Sequence, residues 1–352
     1  MIKVKLTLLV LLFALSQVSY GARHTAIIID ADNGNILHEV EATQSWYPAS
    51  LTKLMTLYMT FDALRAGRIR LYDKLTTSTH ASQQPNSKLG LRRGEHLTVE
   101  DAILAVITRS ANDASVVLAE RLGNSEANFA VSMTAKAHSL GMHNTHFMNA
   151  TGLPNNLQVT TSRDMAVLAL KTRRHFPEYY HYFAAHSFNY KGTELRGINK
   201  FTANYPGAEG MKTGFTCGSG FNLIGAAQQN GRHLIGVVMG GTTSQERYQL
   251  MMRKMDASFV QTDVNRGRNI YTIPTGSAGI PPHQLDCGNG AAVRPAKVST
   301  HNRTNVKSVK TKKQVHKTGN TSKKAKSTNY HKPKTVSKTT RKTKNTHRTV
   351  KK

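Results

Sequence analysis

Strand-like runs stand at both ends of the body of this chain, and only helical periodicity lies between them. Near the start, "HTAIIID" (His24 to Asp30) is apolar, "ADNG" has strong turn chemistry, and "NILHEV" returns as a second strand. Far downstream, "GAEGMKTGFT", "SGFNLIGAAQQ" and "RHLIGVVMGG" read as strands, the last two joined through an Asn230-Gly231 turn. In between, apolar residues from Leu51 to Leu64 run nearly all round a helix starting at Ser50, the mark of a buried one. Further helices are expected over "TVEDAILAVITRS", with Thr98 and Asp101 as a capping box, and over "NDASVVLAERLG", "NFAVSMTAKAHSLG" and "SRDMAVLALKTRRH". "SQERYQLMMRKMDASFV" returns to helix. A sheet assembled from the chain ends around a helical insert is an α+β arrangement, not a doubly wound repeat.

The two termini differ from this body. Lys3 and Lys5 precede an apolar run from Leu6 to Leu15 that is too short to span a bilayer comfortably, and Ser19 and Gly21 are small residues at a cleavage-like site. Residues 1–21 therefore read as an export signal, with an uncleaved anchor as the alternative. The formal net charge is +28, but Cys287 to Lys352 holds 20 Lys and Arg and no acidic residue. The remainder carries 28 basic against 20 acidic residues and is only mildly basic. Residues 22–262 read as one folded domain and 263–352 as loop followed by a disordered Lys/Thr-rich tail. That tail has too little apolar surface to offset the entropy of ordering it.

Ser50 and Lys53 stand three residues apart, which puts them on one face at the start of the buried helix. A serine needs a base to become a nucleophile, and a lysine can be that base only when neutral. Burial and a second nearby cation both lower its pKa. Ser50 is the only serine in the chain followed by lysine at i+3. "SAN" (Ser110 to Asn112) lies in the connection between two expected helices, and "KTG" (Lys212 to Gly214) lies on a strand and supplies the second cation. Gly214 leaves room for a substrate backbone against that strand. The tail repeats "KTG" and "STN", and "SFN" occurs at Ser187, but none has this order or these surroundings. His138, His143 and His146 do not form a recognised metal-ligand spacing, and no metal or other cofactor is expected. Cys217 and Cys287, the only cysteines, either form one disulfide or remain separate thiols.

Ser-x-x-Lys, Ser-x-Asn and Lys-Thr-Gly in this order are the elements of penicillin-binding proteins and class A β-lactamases. Together with "YPASLTKLMT", "SANDASVVLAE", "LGMHNTHFMNATGL", "SRDMAVLA", "GMKTGFTCGSGFNL" and "LIGVVMGG", the chain closely resembles the low-molecular-mass penicillin-binding proteins, the D-alanyl-D-alanine carboxypeptidases, over roughly Thr25 to Val260. The resemblance implies a β-lactamase/D,D-peptidase-like fold. It implies that Ser50 attacks the penultimate D-alanine carbonyl, Lys53 takes its proton, and Ser110, supported by Lys212, returns a proton to the leaving amine. Asn112 would hold the substrate amide and help orient Lys53. The backbone N–H groups of Ser50 and Phe215 would form the oxyanion hole. Thr213, Thr216 and Arg247 would contact the terminal carboxylate. The implied partners are peptidoglycan stem peptides and, as covalent inhibitors, β-lactams.

Three other functions compete. A class A β-lactamase needs a Glu-x-x-x-Asn element. Glu178 and Glu194, the only glutamates between Phe129 and Ala208, have no asparagine four residues on. A D,D-endopeptidase would use the same residues on wall cross-links. A vestigial cationic protein would bind envelope polyanions or lipids through the tail. The export signal places the chain in the periplasm or cell envelope and argues against nucleic acid. Many members of the family have a second β-rich domain and an amphipathic C-terminal anchor. Neither is expected after Val260.

Overall fold

The computed structural model describes residues 24–261, 268–275, 281, 283–284 and 294–295, all within one unit of the chain, Met1–Val298. Residues 1–23 (which include the signal-like segment), Cys287 and the basic tail beyond Pro295 lie outside the described residues. The body has the expected α+β arrangement. Strands β1 (Thr25–Asp30) and β2 (Ile36–Val40) come from its start. Two short hairpins follow within the insert, β3 (Lys74–Thr76) with β4 (His96–Thr98) and β5 (Ser187–Tyr190) with β6 (Thr193–Arg196). Strands β7 (Ala208–Thr216), β8 (Gly220–Gln229) and β9 (Arg232–Gly241) complete the main sheet. That sheet is antiparallel with order β2-β1-β9-β8-β7. Strand β1 meets β9 with Thr25 opposite Met239 and Asp30 opposite Leu234.

The sheet is covered on both faces, which is why β1 is continuously apolar rather than alternating. Ile27 and Ile29 join the large core of the helical insert, while Ala26 and Ile28 join a second core on the other face. The insert holds α1 (Lys53–Arg65), α2 (Val99–Thr108), α3 (Asn112–Gly123), α4 (Glu126–Ser139) and α5 (Ser162–His175). On the opposite face lie α6 (Ser244–Phe259) and the short helix Lys200–Asn204. The Thr98–Asp101 capping box is formed at the start of α2. Packing continues past residue 262: Ile36 N donates to Arg268 O, Ile270 N donates to Gly34 O, and Ile270 is fully buried.

One local difference bears on the site. Ser50 does not open the α-helix; it lies in a 3-10 turn, Ala49–Thr52, and α1 begins at Lys53. In a 3-10 turn, residues i and i+3 eclipse one another. The change of helix type therefore brings Ser50 and Lys53 closer to one line than an α-helix would.

Candidate active site

The Ser50 turn is fixed from three sides. On β8, Asn222 Nδ2 donates to the carbonyls of Tyr47 and Pro48, while its Oδ1 accepts from Gly240 N of β9. On β7, Gly214 lies so close that a Cβ there would sit 3.0 Å from both Ser50 N and Leu51 N. From the insert, Gly152 packs against the Ala49 carbonyl at a φ of +84°, where an added Cβ would overlap that oxygen. Ala49 itself has a φ of +47°. A non-glycine residue in that region is strained, and such strain persists where surrounding contacts hold it.

Lys53 Nζ lies 2.8 Å from Ser50 Oγ and donates to Thr151 O at 2.6 Å. Lys53 has no exposed surface. Burial holds its ammonium well below the ordinary lysine value, and the nearby Lys212 charge pushes it further down. Glu126 and Asp113 oppose this without reversing it.

A second serine–lysine pair faces the first. Lys212 Nζ, buried on β7, donates to Thr213 O and lies 2.8 Å from Ser110 Oγ. Burial lowers its pKa to about 7, with the Arg247 guanidinium as the lesser cause. Ser110 has a φ of +55°, the second strained serine-bearing turn of the site. Arg247, on α6, is buried beneath β7 and β8; its Nη1 reaches Asn222 O at 3.3 Å and Gly214 O at 3.5 Å, and its Nη2 donates to Ser244 Oγ. Its Nε is buried without a partner among the described residues. Thr213 is buried, and Thr216 Oγ1 accepts from Ser219 N. Phe215 is exposed and stacks on Phe221 at 4.1 Å between centroids.

Ser50, Lys53, Ser110 and Lys212 are thus brought together around β7, with Gly214 and Arg247 beside them. Asn112 is buried at the start of α3, but its Nδ2 donates to Pro85 O and it makes no hydrogen bond to Lys53. The orienting contact comes from Thr151 O, which sequence reasoning missed. The 149–152 loop that presents it is held by Asn149 Oδ1, which accepts from Thr151 N and Gly152 N, and by Glu126 Oε1, which accepts from Ala150 N. "NATGL" is the only signal that could have found it. Asp113 was missed too; its carboxylate accepts the N–H groups of Leu89, Gly90 and Leu91. Cys217, next after Thr216, is disulfide-bonded, and the only other cysteine in the sequence, Cys287, lies outside the described residues.

Comparison with known proteins gives the same picture. A family described as D-alanyl-D-alanine carboxypeptidase (peptidase S11) matches residues 14–243. D-alanyl-D-alanine carboxypeptidase DacF of Bacillus subtilis is 32% identical over 255 residues, covering 71% of this chain; the chain spans 65% of the length of that relative. Penicillin-binding protein 5 of Haemophilus influenzae shares the fold with a TM-score of 0.65 and 32% identity, covering 70% of this chain and 72% of that one. Penicillin-binding protein D2 of Listeria monocytogenes, in its ampicillin-bound form, superposes with a TM-score of 0.62 at 29% identity, covering 69% of this chain and 99% of that one.

Proposed function

Since the chain belongs to the D-alanyl-D-alanine carboxypeptidase family, we propose that it removes the terminal D-alanine from peptidoglycan stem pentapeptides through an acyl-enzyme on Ser50. The observation that carries this reading is the buried Lys53 amine, 2.8 Å from Ser50 Oγ and held toward its neutral form. A neutral amine gives one N–H to Thr151 O and keeps a lone pair for the Ser50 hydroxyl proton. Ser50 Oγ then bonds to the penultimate D-alanine carbonyl. The backbone N–H groups of Ser50 and Phe215 stabilise the resulting oxyanion, an effect worth about 3 kcal/mol per donor in comparable sites. As the C–N bond breaks, the leaving amine takes a proton through Ser110, which Lys212 resupplies. Asn112 holds the substrate amide, and Thr213, Thr216 and Arg247 receive the terminal carboxylate. Water then hydrolyses the ester and regenerates Ser50.

β-Lactams should follow the same first step and remain attached. The test is intact-protein mass spectrometry after incubation with benzylpenicillin, beside D-alanine release from a pentapeptide-bearing muropeptide. A stable penicilloyl adduct and D-alanine release, both lost in Ser50→Ala, are expected. A wild-type protein that shows neither would overturn the reading.

The domain plan of a signal at 1–21, a catalytic body and a tail from 263 supports export to the periplasm or envelope. The tail would attach electrostatically to anionic envelope polymers or lipids. A tail-truncated protein that fractionates with membranes or wall like the full-length form would reject that attachment. Pairing of Cys217 with Cys287 would tie the start of this tail to the end of β7; peptide mapping under non-reducing conditions tests it.

A further inference from the structure

Four helices of the insert end at one place. Arg65, the last residue of α1, donates from Nη1 to His175 O at the end of α5. Arg121, in the last turn of α3, brings Nη2 to 3.5 Å from Arg68 O, just past α1. Lys136, in the last turn of α4, lies 3.7 Å from Asp62 of α1. Cations in last turns complement helix dipoles, which accounts for these three. It does not account for Arg68 and Arg70, which follow α1 in an exposed loop.

The charges here are not balanced. Asp62 is shared by Arg65 at 3.9 Å, Arg68 at 3.4 Å and Lys136 at 3.7 Å. A single carboxylate neutralises one of the three. His175 registers the excess: burial lowers its pKa, Lys171, Arg65 and Lys136 lower it further, and Asp62 opposes them. With Arg70 and Arg121 the patch holds six cations, and the second carboxylate that joins it, Asp73, accepts from Arg70 N.

Two exposed tyrosines accompany these cations. Tyr72 is 68% exposed; Arg70 Nη1 donates to its hydroxyl, and the Arg70 guanidinium lies 5.9 Å from its ring centroid. Tyr271 is 42% exposed, with Lys171 Nζ 5.3 Å from its ring centroid. A soluble polyanion would need only the charges. A ring with an apolar body and a polar tip, set beside a cation, suits a surface that is anionic at its headgroups and apolar beneath them.

We propose that this end of the insert is a docking surface for an anionic lipid bilayer, with the six cations over the headgroup phosphates and Tyr72 and Tyr271 at headgroup level. Helix α1 joins this surface to the site. Lys53 opens the helix and Arg65 closes it, about 18 Å apart at 1.5 Å per residue. Docking therefore sets Ser50 and Lys53 at the far end of α1 from the lipid. The contact is made by the folded body and is separate from any attachment through the basic tail.

The test uses intrinsic fluorescence of the full chain. Its one tryptophan, Trp46, is 1% exposed and donates to Ser219 O, so an indole introduced on the surface stands out against it. Tyr72→Trp and Tyr271→Trp are each mixed with vesicles of phosphatidylglycerol and phosphatidylcholine, and with vesicles of phosphatidylcholine alone. With the anionic vesicles both variants should show blue-shifted emission that brominated lipid quenches, while wild-type emission stays unchanged. The shift should be absent with phosphatidylcholine alone and should fade at high salt. Adding Arg68→Glu and Arg70→Glu to Tyr72→Trp should raise the lipid concentration for a half-maximal shift about tenfold or more, since each cation near an anionic bilayer is worth about fivefold. Protein that sediments with the anionic vesicles while both indoles stay unshifted would assign the binding to the tail and overturn the docking surface. An equal shift with inorganic polyphosphate in place of vesicles would overturn the lipid assignment in favour of a soluble polyanion. A thermal transition like that of wild type shows that a variant is folded; should the charge variant fail to fold, the two single tryptophan variants decide the question alone.

Discussion

At the scale of single residues, the site is two buried amines set against two serines, and their protonation can be read separately. The Glu126 carboxylate raises the Lys53 pKa against the lowering by burial and Lys212. Glu126→Gln keeps an oxygen for Ala150 N but removes the charge. Lys53 should then be neutral at lower pH, so the acid limb of penicillin acylation, followed by stopped-flow or mass spectrometry, moves to lower pH. A limb that stays or moves upward would contradict this assignment. Lys212 gives a prediction about stability. Its native pKa of about 7 lies below the ordinary value of 10.5, so between those pH values the unfolded chain binds more protons. Its contribution to stability is present above about 10.5, declines as pH falls through that window and is lost below about 7. Thermal unfolding of Lys212→Met should therefore improve relative to wild type as pH goes from 10 to 6, while D-alanine release disappears. The serine and lysine side chains were legible in the sequence because each carries its chemistry with it. Thr151 was not, because its contribution is a backbone carbonyl that any residue possesses.

At the scale of elements, what matters is how closely backbones approach. The turn that carries Ser50 is wedged between β7 at Gly214 and the 149–152 loop at Gly152. Gly152→Ala would demand a side chain at a φ of +84° and overlap with the Ala49 carbonyl. It should lower the rate of penicillin acylation by about a hundredfold, since displacements near 1 Å have that effect on positioned groups, and it should lower the Tm as well. Acylation at the wild-type rate would show that the turn does not depend on this contact. The six long helices and five main strands could be read from period and caps, because each buries a wide apolar face. The hairpins Lys74–Thr76 with His96–Thr98 and Ser187–Tyr190 with Thr193–Arg196 could not. Their strands of three and four residues are too short to show alternation. The 3-10 turn at Ser50 was hidden for a related reason: its apolar pattern over four residues is the same as that of an α-helix.

At the scale of the whole molecule, the α+β arrangement followed from strands at the two ends of the body, and their closure into one sheet is what assembles the site. Strand β9 is central, hydrogen-bonded to β1 on one side and β8 on the other. A chain ending at Gln229 retains Ser50, Lys53, Ser110 and Lys212 but lacks β9 and α6. It should give no cooperative unfolding transition and form no penicilloyl adduct. Adduct formation by that fragment would show that the pairs assemble without the closed sheet. The segment around Ile270 was not legible, because two buried isoleucines, Ile270 and Ile273, among turn residues have no periodicity to announce them.

The pairing of β1 with β9 also sets a clock. Synthesis runs from the N-terminus, so Ser50, Lys53 and Ser110 all exist before Lys212 is made, and β1 waits for a partner that ends at Gly241. Closing so long a loop is entropically unfavourable and slow. Until it closes, the Ser50 turn has no sheet behind it, and Lys53 has neither the burial nor the neighbouring Lys212 that lower its pKa. The nascent chain therefore carries an unarmed serine, and reactivity arrives only with the last strand.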